Sequence, residues 1–436
     1  MKKIFNRVTV IVLLLGIALL VAGFAVRVGR SSTSDTGGGF ISRESRSSSR
    51  RSSKVNLVFS QWWLNELEGQ TLETLIADFE HSNPGITITL DTRSYIGLEN
   101  NALAARSDAP FAGDIIALDP QWFYELIHNE QLEPLNLYRT ASEALPDAEE
   151  QEYEAWAIPL VSFMTPFFYN IELLRQAGFD RPPKTRDDFM ACAKALSGGD
   201  RFGIAFALSP DYPQGIPLDI YSWIWAGGIR MLNNGKPAIT SRPVIETLSF
   251  LKQFHDEGIL APDCFSKTRA QKLDDFASGT IGLMIASVQD IETLRERMGD
   301  AGFGVTTIPT PDSYLQMPSM GLSYWYAGIS RHSEHKEAAW AFLSYLAENA
   351  PSLAIAAHAV PGSGTATRNY FKDDALYAKA YDIYESADVI EEFTGQPKTH
   401  TREIIVWEEV KNMLEADQSA ATTAHNIQAR WEAAGL

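Results

Sequence analysis

The sequence predicts an α/β fold with a parallel-sheet opening, a second alternating set of strands and helices, and a largely helical C-terminal part. Three observations carry this. Residues 55–118 alternate strand and helix patterns, β-α-β-α-β-α, which is the signature of an α/β domain. Residues 114–118 are almost wholly apolar, as in a strand buried on both faces of a parallel sheet. From Ser333 onward the periodicity turns almost entirely helical, with Ala339, Phe342, Leu343 and Leu346 on one stripe.

The elements follow in order. VNLVF after Lys54 reads as the first strand. Asn65 is placed to cap a helix in which Leu72, Leu75, Ile76 and Phe79 share a face, and Asn83-Pro84-Gly85 ends it. Ile86–Leu90 alternates as a second strand, a helix covers about 97–106, and 114–118 is the third strand. A crossover near Trp156–Phe168 opens the second set. There Thr185 with Asp188 resembles a capping box for a helix to Leu196, and Gly203–Ala207 is a strand. Helices near 216–226 and 242–257 precede the strand at 281–285, a helix over 287–299, and strands at 303–306 and 324–330.

The chain has 436 residues, enough for two lobes or one large core. Residues 1–54 hold ten Lys and Arg against two acidic residues. Of the 37 basic and 55 acidic residues in the chain, 27 and 53 therefore fall in 55–436, a net charge of −26. Such a field repels polyphosphates and argues against nucleic-acid binding. Lys2, Lys3 and Arg7 precede an apolar run from Val8 to Val26, so 1–30 reads as a secretory signal or a membrane anchor. Residues 31–54, rich in Ser, Gly and Arg, read as a disordered linker. The two cysteines, Cys192 and Cys264, leave pairing open.

Enzyme and metal signatures mostly fail. His332-Ser-Glu-His335 lacks the H-E-x-x-H spacing and a third ligand, and fits a helix start better than a zinc site. Gly362-Ser363-Gly364 is no nucleophile elbow, and Gly302-Phe303-Gly304 is no dinucleotide fingerprint. No cofactor is expected. Paired carboxylates for sugar hydrolysis stay open, because their separation is a property of the fold.

Tryptophans carry the functional signal. Trp62, Trp63, Trp122, Trp156, Trp223, Trp225 and Trp325 fall at expected segment ends, where flat rings with polar neighbours suit an aromatic-lined cleft. Trp340, Trp407 and Trp431 fall inside helices and read as packing residues. Asp119 and Trp122 follow the buried third strand, and Trp62, Trp63 and Glu66 follow the first. Ligands of open α/β sheets bind at such strand ends. Trp225, Gly227 and Gly228 come from the second half, and Tyr324 and Trp325 from the return strand. Asp119 is also an N-cap for a helix beginning at Pro120.

Read in order, LVFSQWW, LIADFEHSNPGITI, GDIIALDPQWFYELIHNEQLEPL, FFYNIELLRQAGFDRPPKTRDDF, SWIWAGG, NNGKPAI, DDFASGTIGLMI and AAWAFLSYL resemble extracellular solute-binding proteins of carbohydrate ABC importers, family 1. The resemblance spans about 55–436. It implies a two-lobed periplasmic-binding-protein-like type II fold, with a carbohydrate held between the lobes and delivered to ABC permease subunits. Such a protein is no enzyme and acts as a monomer outside the cytoplasm. It sits in the periplasm or on the outer face of the cytoplasmic membrane, where the N-terminal segment can hold it. The lobes are expected at 55–160 with 270–312, and at 161–269 with 313–436. Family members often carry a lipid-anchored cysteine, absent here, and Gly-Ser-Trp where this chain has Ala286-Ser287-Val288. Ser287 and Gln289 join the expected contacts by position alone. The alternatives are a same-fold binder of a cationic solute such as a polyamine, caged by aromatic rings and carboxylates, or a sugar-active enzyme.

Overall fold

The computed structural model describes residues 54–139, 155–210, 215–362 and 371–436. The expected leader at 1–30 and all of the linker but Lys54 lie outside these residues, as do Ser363 and Gly364.

β1 (Val55–Gln61) runs into a 3₁₀ turn at Trp63–Asn65, and α1 (Thr71–Ser82) buries the expected Leu72, Leu75, Ile76 and Phe79. Asn65 does not cap this helix. Gly69 takes φ 68°, a left-handed step that separates the turn from the helix, and the Asn65 amide instead donates to the Arg93 carbonyl at 3.2 Å. β2 (Ile86–Thr92) and α2 (Tyr95–Ala104) follow, the helix opened by Ser94 Oγ accepting from Gly97 N. β3 (Ile115–Leu118) is buried at every position, as its composition predicts, and leads to α3 (Phe123–His128).

β4 (Ala157–Met164) and β5 (Phe167–Asn170) are separated by Thr165 and Pro166 alone. α4 (Ile171–Gln176) is capped by Asn170. α5 (Arg186–Leu196) is capped by Thr185, whose hydroxyl accepts from Asp188 N at 3.2 Å. β6 (Phe202–Ile204) precedes a π turn at Pro217–Tyr221 that continues as α6 (Ser222–Trp225). A small hairpin, β7 (Leu232–Asn233) and β8 (Lys236–Pro237), leads to α7 (Arg242–Asp256) and α8 (Arg269–Ser278). β9 (Ile281–Ile285), α9 (Asp290–Met298) and β10 (Phe303–Thr306) complete the middle of the chain. Beyond them come β11 (Ser319–Ile329), α10 (Lys336–Glu348), α11 (Ala350–Ala356), β12 (Val360–Pro361), α12 (Ala375–Glu385), β13 (Asp388–Ile390), α13 (Thr399–Glu415) and α14 (Ala420–Ala433). Two short strands thus interrupt the expected helical C-terminal part. His335 precedes α10 without a side-chain capping bond, so His332-Ser-Glu-His335 is not the cap its position suggests.

Two sheets organise the fold. The first runs β12-β4-β11-β3-β1-β2, with β13 added beside the start of β11; β1 is parallel to β2 and β3, while β11 is antiparallel to β3 and β4. The second runs β10-β5-β9-β6. This corrects the expected lobe boundaries. β9 and β10 pair with β5, so 281–285 and 303–306 build the second sheet, and 319–329 builds the first. The chain changes sheets at 165–166 and returns through 307–318. Which sheet a returning strand joins is a long-range choice that local periodicity does not encode.

Each sheet has its own helical cover. α1 and α10 pack around Phe59, Phe79 and Phe342; α5, α7 and α14 pack around Phe189, Trp223, Phe254 and Trp431. In the second core Lys272 and Asp219 form a buried ion pair. Lys272 Nζ reaches both Asp219 oxygens, at 2.8 and 2.9 Å, and the Ile285 carbonyl at 2.9 Å. Cys192 and Cys264 are both free and buried, and burial pushes each thiol up to about 12.

Candidate functional site: a tryptophan-walled cavity

A cavity of about 720 Å³ is lined by residues of the first sheet and its strand ends, of helices and loops from the middle of the chain, and of the C-terminal part. One wall comes from ends of the parallel strands. Trp62 follows β1 directly, Asp119 follows β3 directly, and Tyr95 opens α2. β4 and β11 supply Phe163, Gly321 and Trp325. The facing wall is Trp225 at the end of α6, Arg269 at the start of α8, and Ser287, Gln289 and Glu292 around the start of α9. Residues 390–394, with Thr399 and Glu403 of α13, close the remaining side.

The rings are braced from behind. Trp63 stacks on Trp325 at 5.4 Å with planes 9° apart, and Trp122 meets Trp62 edge-on at 5.5 Å. Tyr95 stands edge-on to Trp62 at 5.4 Å, and Phe163 to Trp325 at 5.0 Å. Such offset and edge contacts hold each indole in one orientation. Trp225 is pinned by its polar end, Nε1 donating to Glu392 at 2.8 Å.

Of the residues expected at the site, Trp62, Glu66, Asp119, Trp225, Ser287, Gln289 and Trp325 line the cavity. The others do not. Trp63 and Trp122 are fully buried bracing rings rather than wall. Gly227 and Gly228 sit against Pro311 and Tyr314 of the return crossover. Tyr324 packs on Tyr326 at 5.5 Å with its hydroxyl beside Glu391, because neighbours on a strand point to opposite faces. Trp223 lies in the second core against Phe189 at 5.0 Å. Sequence reasoning missed Tyr95, Arg269, Glu391, Glu392 and Glu403. For Glu403 a signal existed: it lies beside Arg402 on a buried helix face, a charge where the pattern demands an apolar residue.

Asp119 does both things its position allows. Oδ1 accepts from Gln121 N at 2.9 Å, capping the turn at Pro120, and the carboxyl lines the cavity. The Gln121 amide donates in turn to Glu403 Oε1 at 3.0 Å, so one residue links two carboxyls of separate elements. Burial pushes Asp119 up to about 7; the Gln121 N–H and Tyr95 hydroxyl pull it back, and the charge of Glu99 adds to the rise. Burial also raises Glu403 far above the ordinary carboxyl range, with Asp119 and Glu99 adding to it. Glu392 is raised by burial against three donors, Trp225 Nε1, Leu232 N and Met231 N. The Glu66 side chain reaches solvent, yet desolvation against the wall raises it and Arg269 opposes the rise. The wall thus offers apolar ring faces beside acceptors that outnumber donors. Among the described residues no cluster of three or more His, Cys, Asp or Glu is arranged to hold a metal ion.

The family model of bacterial extracellular solute-binding proteins matches residues 64–351. The chain belongs to that family. It is a solute-binding protein of an ABC transporter, not an enzyme. A Brucella abortus protein described as a binding protein is 24% identical over 292 residues, 64% of this chain and 68% of its own length. Among solved structures, the GacH receptor of Streptomyces glaucescens, studied unliganded and with acarbose, covers 87% of this solute-binding protein and 97% of its own chain, with 18% identity and a TM-score of 0.69. The sugar-binding protein MalE of Xanthomonas citri covers 86% and 96%, with 18% identity and a TM-score of 0.70. Lmo0181 of Listeria monocytogenes, solved with cycloalternan, covers 88% and 100%, with 16% identity and a TM-score of 0.69. At these identities the likeness is one of fold, a two-sheet periplasmic-binding-protein-like architecture with helices at its C-terminal end.

Proposed function

We propose that this solute-binding protein captures a carbohydrate, a mono- or oligosaccharide, in the tryptophan-walled cavity and delivers it to ABC permease subunits. The observation that carries the reading is the convergence of Trp62, Trp225 and Trp325, from three distant segments, on one cavity that also presents Glu66, Asp119 and Glu403. Sugar rings offer apolar faces to indoles and hydroxyls to carboxylates, and the cavity has the size of ordinary small-molecule sites, about 300–1,000 Å³. Ser287 and Gln289 supply further polar contacts from the facing wall. The neighbours solved with acarbose and cycloalternan support the ligand class.

In this reading the crossovers at 165–166 and 307–318 act as hinge, closing the two sheets on the sugar. The protein works outside the cytoplasm, in the periplasm or attached to the outer face of the cytoplasmic membrane by its N-terminal segment. The second reading, a cationic solute such as a polyamine, draws on the excess of carboxyls over cations in the wall. A thermal-shift screen of sugars, polyols and polyamines separates them, because a ligand that binds only the native state raises the melting temperature. Sugars that raise it support the proposal. A shift with polyamines alone, or none with any sugar, overturns it.

A further inference from the structure

Two carboxyls of the cavity wall stand out by what faces them. Asp119 is 7% exposed and Glu403 5%. Their hydrogen-bond donors are neutral: Gln121 N and the Tyr95 hydroxyl for Asp119, and the Gln121 amide for Glu403. Among the described residues neither forms an ion pair with Lys or Arg. A third carboxyl, Glu99, adds its charge to both. Burying an anion without a cation costs several kcal/mol, so in the isolated chain burial pushes both carboxyls toward the protonated form.

Two independent features beside the carboxyls point to a ligand. Trp62 and Tyr95 stand edge-on at 5.4 Å, and both line the cavity at Asp119, so aromatic surface borders the corner. The side-chain oxygen of Gln121, the residue that joins the two carboxyls, is buried without a hydrogen-bond partner, and Gln121 lines the cavity. A buried acceptor without a partner needs a donor to meet it.

We infer that the carbohydrate carries a protonated amine, seated between the Asp119 and Glu403 carboxylates and beside the Trp62 and Tyr95 rings. The inference rests on the carbohydrate reading of the cavity and names the class of sugar. An ammonium donates three hydrogen bonds and accepts none, which suits a corner made of acceptors. Its charge lets the two carboxyls ionise as it binds, and aromatic faces attract it further. A neutral hydroxyl supplies only one donor and brings no charge to favour the ionised carboxyls. The net charge of −26 in residues 55–436 draws the same class of ligand toward the protein.

The test is calorimetric titration of the full chain with three matched sets. These are glucosamine with its β-1,4-linked di- and trisaccharide, their N-acetylated counterparts, and the unsubstituted glucose oligosaccharides of equal length. N-acetylation removes the charge and keeps the ring. The expected result is binding of an amine-bearing sugar at least about tenfold tighter than both neutral counterparts, the scale of a charge-assisted hydrogen bond. Glu403→Gln should erase most of that preference, weakening the amine-bearing sugars several-fold more than the neutral ones, which also lose a wall contact. If the variant does not fold, the comparison of ligands on the native chain decides alone. Neutral sugars binding as tightly as the amines overturn the inference and leave the carbohydrate reading standing. Spermidine binding with no sugar binding overturns both.

Discussion

Trp225 of α6 and Gly321 of β11 meet so closely that no side chain fits between them. A Cβ on Gly321 would stand 2.4 Å from Cζ3 and 2.6 Å from Cε3 of the indole. Gly321 belongs to β11 of the first sheet, whereas Trp225 ends α6 and packs in the second core. With Glu392 holding its Nε1, the ring is fixed at both its edge and its polar end.

Gly321→Ala should therefore push Trp225 out of the wall. Overpacking of this kind costs roughly 1–3 kcal/mol of stability. Ligand affinity should fall as well, because the ring and its approach to β11 shift together. Denaturant unfolding reads the first effect and calorimetry the second. An unchanged affinity in a folded Gly321→Ala protein would show that Trp225 is not a ligand contact.

The Lys272–Asp219 pair supports a second expectation. Both groups are buried, and Asp219 Oδ2 also accepts from Ala207 N at 2.7 Å. Lys272→Met leaves an anion without its cation and should cost about 3–5 kcal/mol. Lys272→Met with Asp219→Leu should recover much of that loss. Urea midpoints of the single and double variants check both statements.

Stability should depend on pH through Asp119. Its folded value of about 7 lies above its ordinary 3.8, so between those values the native state holds a proton that the unfolded chain has released. The contribution of this group is complete below the ordinary value and declines as pH rises toward 7. The ligand-free protein should thus lose melting temperature across that window, and Asp119→Asn should flatten the part due to this residue. A melting temperature that rises over the same range in the native chain but not in the variant would reverse the sign.

The cysteines should be silent. Cys192 and Cys264 are buried, unpaired and shifted up to about 12, so the thiolate population at neutral pH is negligible. Ellman's reagent should find no reactive thiol in the native protein and two after unfolding, and dithiothreitol should leave the melting temperature unchanged. Rapid native reaction would contradict the burial of both.

Much of the fold was legible locally. The apolar spacing of α1, the apolar run of β3 and the segments of β9 and β10 stand where the pattern placed them. The partition into sheets was not, since pairing of β9 with β5 depends on residues more than a hundred positions apart. At the cavity, Trp62 and Asp119 were legible because each follows a parallel strand end. Glu391 and Glu392 were not, because segments near the C-terminus reach the wall only through tertiary packing, and Glu403 showed only as a charge on an otherwise apolar helix face. Tryptophan position alone did not separate wall from brace: Trp62 and Trp63 are adjacent in sequence, yet only the first lines the cavity.

The most direct measurement of the central claim is calorimetric titration of the sugar that most raises the melting temperature into the native chain, Trp325→Ala and Trp340→Phe. Trp325 lines the cavity, whereas Trp340 stacks on Tyr138 at 5.8 Å away from it. Losing a stacked ring costs roughly 1–3 kcal/mol, taking stacking on nucleic-acid bases as an analogue, or about 5- to 150-fold in affinity. The account predicts that loss for Trp325→Ala and affinity close to native for Trp340→Phe. Native affinity in a folded Trp325→Ala protein would contradict it.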